Sequence, residues 1–409
     1  MKQRSDYTFK FNQQNGRHGW LRLTPAYSIK LVKENLYKNG LSEPHSFKGN
    51  LLDPFSGTAT TGIVAAEMGL NCTLYDINPF LVWFGNIKAA NYPTAELDRL
   101  KDRITEELPL ISTEGADFYD WVPPMKNIER WWDSNTIKIL ASLRRYIAIS
   151  WGKPSGAGIH NLIWIAFARL VIETSAADFN HISVSFKDGT EKYETTQIKK
   201  LFLDIFSNIT GSARQNLPGK AVIVHGDSRL MNQEKDKYDL VLTSPPYPNR
   251  ISYIRELRPY MYWLGFLNSG EEAGEIDWKA IGGTWGKATS NLSTWSTQNK
   301  FLPDKLHEIC HRIETADPKS GRTLSQYVLK FFDDMYIHLD KLRYKLKTGA
   351  KIVYILGNSS FYGNFVETDS YIKDILNNLG YSEVNSEIIR KRNCNKGLFE
   401  YNITARWTD

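Results

Sequence analysis

The sequence predicts an α/β chain: a mostly parallel sheet with helices on both faces, interrupted by a mainly helical insertion. Three observations predict it. The run YDLVLTSPPYPN carries an apolar, β-branched strand straight into two consecutive prolines. The run NLLDPFSGTATTGIVAAEMGLNCTLYDINPF reads as strand, small-residue turn, helix and second strand. Residues 91–220, between these runs, carry helical spacing and are too long for a loop inside one sheet.

In chain order, Leu51 and Leu52 form a first apolar strand that runs into Asp53-Pro54-Phe55-Ser56-Gly57. Gly57, with Ser56, Thr58 and Ala59 around it, lets backbone approach a ligand closely. Thr60 to Met68 has helical spacing, with Gly69 as its C-cap. The next strand, Cys72 to Tyr75, ends in Asp76 followed by Ile77. An acidic residue at the end of the second strand of a βαβ unit accepts the two hydroxyls of a ribose. No GxGxxG and no GKS or GKT occurs in the segment, so the site is expected to hold an adenosine without a pyrophosphate.

The strand Tyr238 to Thr243 suits the middle of a sheet, and Pro245 and Pro246 stop it. Two prolines fix φ and remove two N–H donors, so the carbonyls of Ser244 and Pro245 face outward with no ladder to join. Tyr247 follows at once. A polar side chain, rigid carbonyls and an aromatic face make a receptor for a planar group bearing an amine.

Taken together, these blocks resemble the DNA amino-methyltransferases, which use S-adenosyl-L-methionine to methylate an exocyclic nitrogen of cytosine or adenine. DPFSGTATTG is similar to that family's cofactor loop and TSPPY to its catalytic loop. HGWLRLTPAYSIKLVKENL, from His18 through Pro25, is similar to the short helix before the cofactor loop. The segment could equally be core packing through Trp20, Leu31 and Val32. VHGDSRL, with Asp227 and Ser228 after a third strand, is similar to the adenine contact, and GAKIVYILGNSSF and EYNITARW to later strands. Asn358 in LGNSS reads better as a turn residue than as part of the site.

The resemblance implies a Rossmann-like class I methyltransferase sheet. Residues 1–90 and 221–409 would close one catalytic domain, with 91–220 inserted. It further implies Asp53, Pro54, Phe55, Ser56, Gly57, Asp76, Ile77, Asp227, Ser228 and Pro25 as cofactor-binding residues, and Ser244, Pro245, Pro246 and Tyr247 as catalytic. Ser at the head of the catalytic tetrapeptide is associated in that family with cytosine N4, and Asp or Asn with adenine N6. Cytosine-N4 methylation of a base flipped out of double-stranded DNA is therefore expected, with adenine N6 as the alternative. RNA methyltransferases acting on guanine N2 share similar loops but have Asp before the prolines; a non-catalytic DNA-binding relative would not need both loops.

Within the insertion, Ala95 to Leu108, Asn135 to Ile149 with Arg144 and Arg145, Leu162 to Ile172, and Lys192 to Ile209 with Lys199 and Lys200 read as helices. His181 to Phe186 alternates like a short strand. The insertion is a candidate target-recognition domain or a buttress for the sheet. After the catalytic loop, Tyr253 to Phe266 reads as a helix rich in aromatics. Residues 268–300, rich in Gly, Ser, Thr, Asn and Trp, read as an irregular flexible loop. Lys279, Lys287 and Lys300 interleave there with Trp278, Trp285 and Trp295, which makes a candidate DNA-contacting lid. Thr323 to Leu346 reads as a long amphipathic helix.

Composition bounds the remaining choices. The three cysteines, Cys72, Cys310 and Cys394, are scattered, with no C-x-x-C and no His/Cys cluster, so no metal and no disulfide framework are expected. None follows a proline, which disfavours a cysteine nucleophile on cytosine C5. No apolar run reaches a membrane span and no secretory leader opens the chain, consistent with a cytoplasmic enzyme. A net charge of +6 permits a nucleic-acid partner. No PD…(D/E)xK cluster stands out, so a cognate restriction endonuclease, if one exists, would be a separate chain.

Overall fold

The computed structural model describes residues 5–23, 26–41, 49–112, 118–178, 185–231, 237–283, 287–299, 301–392 and 397–408. A seven-stranded sheet organises them. Its strands are β1 (Leu51–Asp53), β2 (Asn71–Asp76), β3 (Lys220–His225), β4 (Tyr238–Thr243), β5 (Leu346–Gly357), β6 (Ser382–Lys391) and β7 (Phe399–Arg406). They lie in the order β3-β2-β1-β4-β5-β7-β6. The first five are parallel, and β7 runs antiparallel to both β5 and β6.

This order places the two motif loops together. From β1 the chain steps outward to β2 and β3, then returns to the other side of β1 as β4. Leu51 is paired with Cys72 on one side and Leu240 on the other. Parallel neighbours end at the same edge, so the loops after β1 and β4 meet at the switch point, where ligands of open α/β sheets bind.

Strand periodicity divides the core between two faces. Leu51, Leu240, Leu242 and Val353 pack with helices α1 (Ile29–Lys38) and α2 (Thr60–Glu67). Leu52, Val241, Ile352 and Tyr354 face the other way, against α12 (Gly321–Leu342) and α13 (Thr368–Asn378). Helix α12 ends before the predicted Leu346 because Arg343–Lys345 tightens into a 3₁₀ turn and β5 begins at Leu346.

Helix α3 (Pro79–Ala89) leads into the insertion, whose helices are α4 (Thr94–Glu107), α5 (Ser134–Trp151), α6 (Asn161–Glu173) and α7 (Thr195–Ala213). Of the short strand predicted at 181–186, residues 181–184 lie outside the described residues, while Ser185–Phe186 pairs with Ala177–Asp178. The insertion shares one hydrophobic core with α3 and with α8 (Tyr253–Leu264), the helix that follows the loop after β4. The Trp263 ring of α8 stands edge-on to Trp132 at 5.6 Å and to Phe167 at 6.0 Å. Trp83 of α3 donates to Asn161 Oδ1 at 2.9 Å.

The expectation of an irregular loop over 268–300 is corrected. Helices α9 (Gly270–Lys279) and α10 (Lys287–Leu292) occupy part of it, and α11 (Asp304–Ala316) follows. Ser269 caps α9 by accepting from the Glu272 N–H at 3.2 Å, while Glu272 Oε2 accepts from the Asn268 N–H at 2.8 Å. That N-cap, with two acids in the first turn and Lys279 in the last, stabilises a ten-residue helix. The Gly- and Ser-rich composition of the wider window hid it. Among the described residues no helix is long and apolar enough to cross a membrane.

Candidate active site

A cavity of about 510 Å³ opens where the loops after β1, β2, β3 and β4 converge, within the ~300–1,000 Å³ typical of small-molecule sites. Pro54, Phe55, Ser56, Gly57, Asp76, Ile77, Asp227, Ser228, Ser244, Pro245, Pro246 and Tyr247 all line it. Two predicted residues stand apart. Pro25 lies outside the described residues. Asp53 is fully buried behind the wall, where its Oδ1 accepts from the Phe55 N–H at 3.0 Å and the Thr243 hydroxyl at 2.6 Å. Asp53 therefore braces the cofactor-type loop against the end of β4, and burial pushes its carboxyl up from the ordinary value.

The loop after β1 is held open toward the cavity. The Ser56 N–H donates to Tyr75 O at 2.7 Å, and Gly57 takes φ +49, a conformation that favours glycine. Asp76 Oδ2 accepts from the Gly57 N–H and Oδ1 from the Asn78 N–H, both at 2.8 Å. These backbone bonds leave lone pairs on the carboxylate for a diol. Burial pushes the Asp76 carboxyl up to about 7, against the opposing pull of those backbone donors. The Ser56 hydroxyl is buried at the same wall with no hydrogen-bond partner among the described residues. An orphaned hydroxyl beside a diol-ready carboxylate fits an adenosine-bearing cofactor.

The opposite wall is set by a residue that the sequence did not single out. His338 of α12 is fully buried, and burial lowers its pKa to about 4, so the ring is neutral. Its Nδ1 donates to Ser228 O at 3.0 Å and its Nε2 accepts from the Tyr354 hydroxyl at 2.6 Å. The Phe55 ring meets it edge-on at 4.8 Å. One imidazole thus fixes two predicted contacts, Phe55 and Ser228. Asp227 is chelated by Arg229, through Nε to Oδ1 at 3.0 Å and Nη2 to Oδ2 at 2.7 Å. Burial alone would raise the Asp227 carboxyl; the Arg229 hydrogen bonds and charge outweigh it and hold the group below its ordinary value. Arg229 also binds Asp334 Oδ1 and Lys279 O, each at 2.6 Å, tying the end of α9 to this wall.

At the Ser244-Pro245-Pro246-Tyr247 tetrapeptide, Ser244 Oγ donates to Ile355 O at 3.1 Å and lies 3.4 Å from the Tyr247 hydroxyl. Gly357 allows the Tyr247 ring to settle against β5, because a Cβ there would stand 2.9 Å from two ring carbons. The Tyr327 hydroxyl donates to Tyr247 O at 3.4 Å and accepts from the Arg250 N–H at 3.1 Å, clamping the loop from α12. Beyond Tyr247 the cavity is closed by Tyr253, Arg390, Arg392 and Glu400. Arg390 and Glu400 form a bidentate pair at 2.7 and 2.6 Å. EYNITARW signalled only a strand; its glutamate becomes a cavity residue because β7 is the antiparallel neighbour of β5. Asn358 is a link between strands: its Oδ1 accepts from the Phe399 N–H at 2.8 Å.

The His18 segment divides between core and cavity wall. Trp20, Leu31 and Val32 are buried, while Ala26 and Tyr27 line the cavity. Of the basic residues singled out in the insertion, Arg144 donates to Trp121 O at 2.7 Å and Lys199 to Pro109 O and Ile111 O at 2.9 and 2.8 Å, whereas Arg145 and Lys200 are exposed. In the segment 268–300, Lys279 is exposed at the cavity mouth and Trp278 packs under Lys330 Nζ at 4.7 Å. Trp285 and Lys300 lie outside the described residues.

No protein-family model matches the chain. By sequence it is similar to the type II methyltransferase M.BsoBI of Geobacillus stearothermophilus, 24% identical over 439 residues that cover 95% of this chain and 83% of that one. It is also similar to the type II methyltransferase M.AvaI of Nostoc sp., 21% identical over 92% of this chain and 81% of that one. Among solved structures, the rRNA methyltransferase aviRa of Streptomyces viridochromogenes aligns over 93% of this chain and 86% of its own at 12% identity, with a TM-score of 0.30. At that score the alignment carries no weight. The parallel sheet closed by an antiparallel strand next to β5, the two motif loops at its switch point and the likeness along nearly the whole chain lead to one conclusion: the protein is an S-adenosylmethionine-dependent methyltransferase of the Rossmann-like class I fold.

Proposed function

We propose that this methyltransferase is a site-specific DNA methyltransferase of a type II restriction–modification system, acting on the exocyclic N4 of a cytosine flipped out of the duplex. The relatives' description as type II methyltransferases supports the general reading. The observation that carries the chemistry is the Ser244 hydrogen bond to Ile355 O. With its own hydrogen committed to that carbonyl, Ser244 Oγ presents lone pairs to the cavity.

S-adenosylmethionine supplies the electrophilic methyl group. An exocyclic amine is a poor nucleophile because its lone pair is conjugated into the ring. Ser244 Oγ and the Pro245 carbonyl would accept its two hydrogens, favour tetrahedral geometry at nitrogen and aim the lone pair across the cavity. The base would stack on Tyr247, which the Tyr327 clamp holds in place. A paired base hides its amine, so flipping is required. Exposed Lys279 at the mouth suits a phosphate contact, which makes α9 the first candidate for the lid, and the insertion remains the candidate for sequence readout. In this role the chain would work beside a separate restriction endonuclease.

The test is transfer of labelled methyl from S-adenosylmethionine to duplex DNA of mixed sequence, followed by nucleoside analysis. Labelled 4-methylcytosine is the expected product. Label in 6-methyladenine would overturn the choice of base, and label only in RNA would overturn DNA as the substrate.

A further inference from the structure

Two arginines close the far end of the cavity, and they differ in one respect. Arg390 is neutralised by Glu400, whose two carboxylate oxygens it grips at 2.7 and 2.6 Å. Arg392 has no ion pair among the described residues. Its Nη1 donates to Asn358 O at 2.9 Å, and its guanidinium carbon lies 5.5 Å from the centre of the Tyr247 ring. It is half-buried and lines the cavity beside the catalytic tetrapeptide. A guanidinium carries five donors in a planar fork, and taking such a group partly out of water without an acidic partner is costly unless an acceptor arrives. The position therefore suits a hydrogen-bond acceptor brought by the ligand.

The two candidate bases differ in this kind of acceptor. A base whose amine lies on Ser244 and Pro245 presents next a ring nitrogen that accepts, in cytosine and adenine alike. Beyond it cytosine carries the carbonyl oxygen O2, where adenine carries only a C–H. We propose that Arg392 is the base-selecting residue of the pocket, donating to the O2 edge of the flipped cytosine while its contact with Tyr247 keeps the guanidinium beside the stack. This inference rests on the cytosine-N4 reading above. Arg390, held by Glu400, would act only as a positioning residue, keeping β6 and β7 in the register that delivers Arg392.

The test compares wild type with Arg392→Met on duplexes carrying, at the methylated position, either cytosine or 2-thiocytosine, whose sulfur is a weaker acceptor. Wild type is expected to lose about tenfold in kcat/KM on exchange of oxygen for sulfur, the size of one charge-assisted hydrogen bond. Arg392→Met is expected to be slower than wild type on cytosine by at least about tenfold and indifferent to the exchange. Its thermal stabilisation by S-adenosylhomocysteine should match wild type. If that stabilisation is lost, the comparison is made with Arg392→Lys, which keeps the charge but has fewer donors and should show a reduced oxygen-to-sulfur effect. An equal loss on exchange in wild type and variant, or a variant as fast as wild type on cytosine, would overturn the role of Arg392 while leaving cytosine methylation intact. Methylated adenine from the wild type would overturn the cytosine reading, and the inference with it.

Discussion

Ser244 and Ile355 sit on the ends of neighbouring parallel strands, and the Ser244 hydroxyl donates to the Ile355 carbonyl at 3.1 Å. This bond decides what the serine offers the cavity, an acceptor oxygen. Replacing Ser244 with alanine removes the acceptor without touching the cofactor half. Methyl transfer should fall about a hundredfold in kcat, in line with the loss of one preorganised polar group. The dissociation constant for S-adenosylmethionine, measured by calorimetry, should stay within about twofold.

Asp76 should make cofactor binding pH-dependent. Its carboxyl is raised to about 7 in the free protein, so its neutral form is favoured on folding. The stability this gives is fully present below the ordinary carboxylate range and is lost as pH rises through 7. Ribose hydroxyls favour the anion, so affinity for S-adenosylhomocysteine should weaken as pH falls below 7, approaching tenfold per unit. Titration calorimetry between about pH 6 and about pH 8 measures the slope. Asp76→Asn should bind more weakly and lose the slope.

His338 should make the fold acid-sensitive. Its pKa falls from 6.5 to about 4 on burial, so the unfolded chain takes up the proton first. The stability linked to its neutral form is complete above pH 6.5 and declines as pH falls toward 4. Denaturant melts across that window should show a smaller decline for His338→Gln than for wild type. The variant should also bind cofactor more weakly, because Phe55 and Ser228 lose their shared support.

Gly357→Ala should displace Tyr247. The added Cβ would stand 2.9 Å from two ring carbons of a residue whose backbone carbonyl the Tyr327 hydroxyl holds. Overpacking of this kind costs about 1–3 kcal/mol. Thermal melts should show the loss, and methyl transfer should drop with cofactor binding preserved.

Trp263→Ala tests how the insertion supports the loop after β4. Trp263 is fully buried between Trp132 and Phe167, and its helix begins six residues after Tyr247. Truncation should destabilise by about 3–5 kcal/mol. Far-UV circular dichroism and methyl-transfer activity should be lost at the same denaturant concentration. A separate early transition of the insertion, with activity intact, would contradict a shared core.

The insertion's helices were legible because each carries its own apolar stripe: the predicted 135–149 and 162–172 lie within α5 and α6. Helix α9 was missed because its signal is a single serine N-cap set in a polar window. His338, Arg392 and Glu400 were invisible for another reason. A single histidine in an amphipathic helix, or an arginine and a glutamate eight residues apart around a strand turn, has no pattern that separates it from surface polarity.

Local sequence specified every strand of the sheet except β6, together with the two motif loops and the residue types able to hold a nucleoside and an amine. These follow from local causes: side-chain periodicity, proline's missing donor and glycine's access to positive φ. Tertiary structure alone decided that the loops after β1 and β4 share one cavity, that Asp53 braces that cavity from behind its wall, and that His338, Gly357 and Arg392 shape it. Strand order brings residues nearly two hundred positions apart to one edge of the sheet. That proximity is a property of the closed core, and no local stretch of chain encodes it.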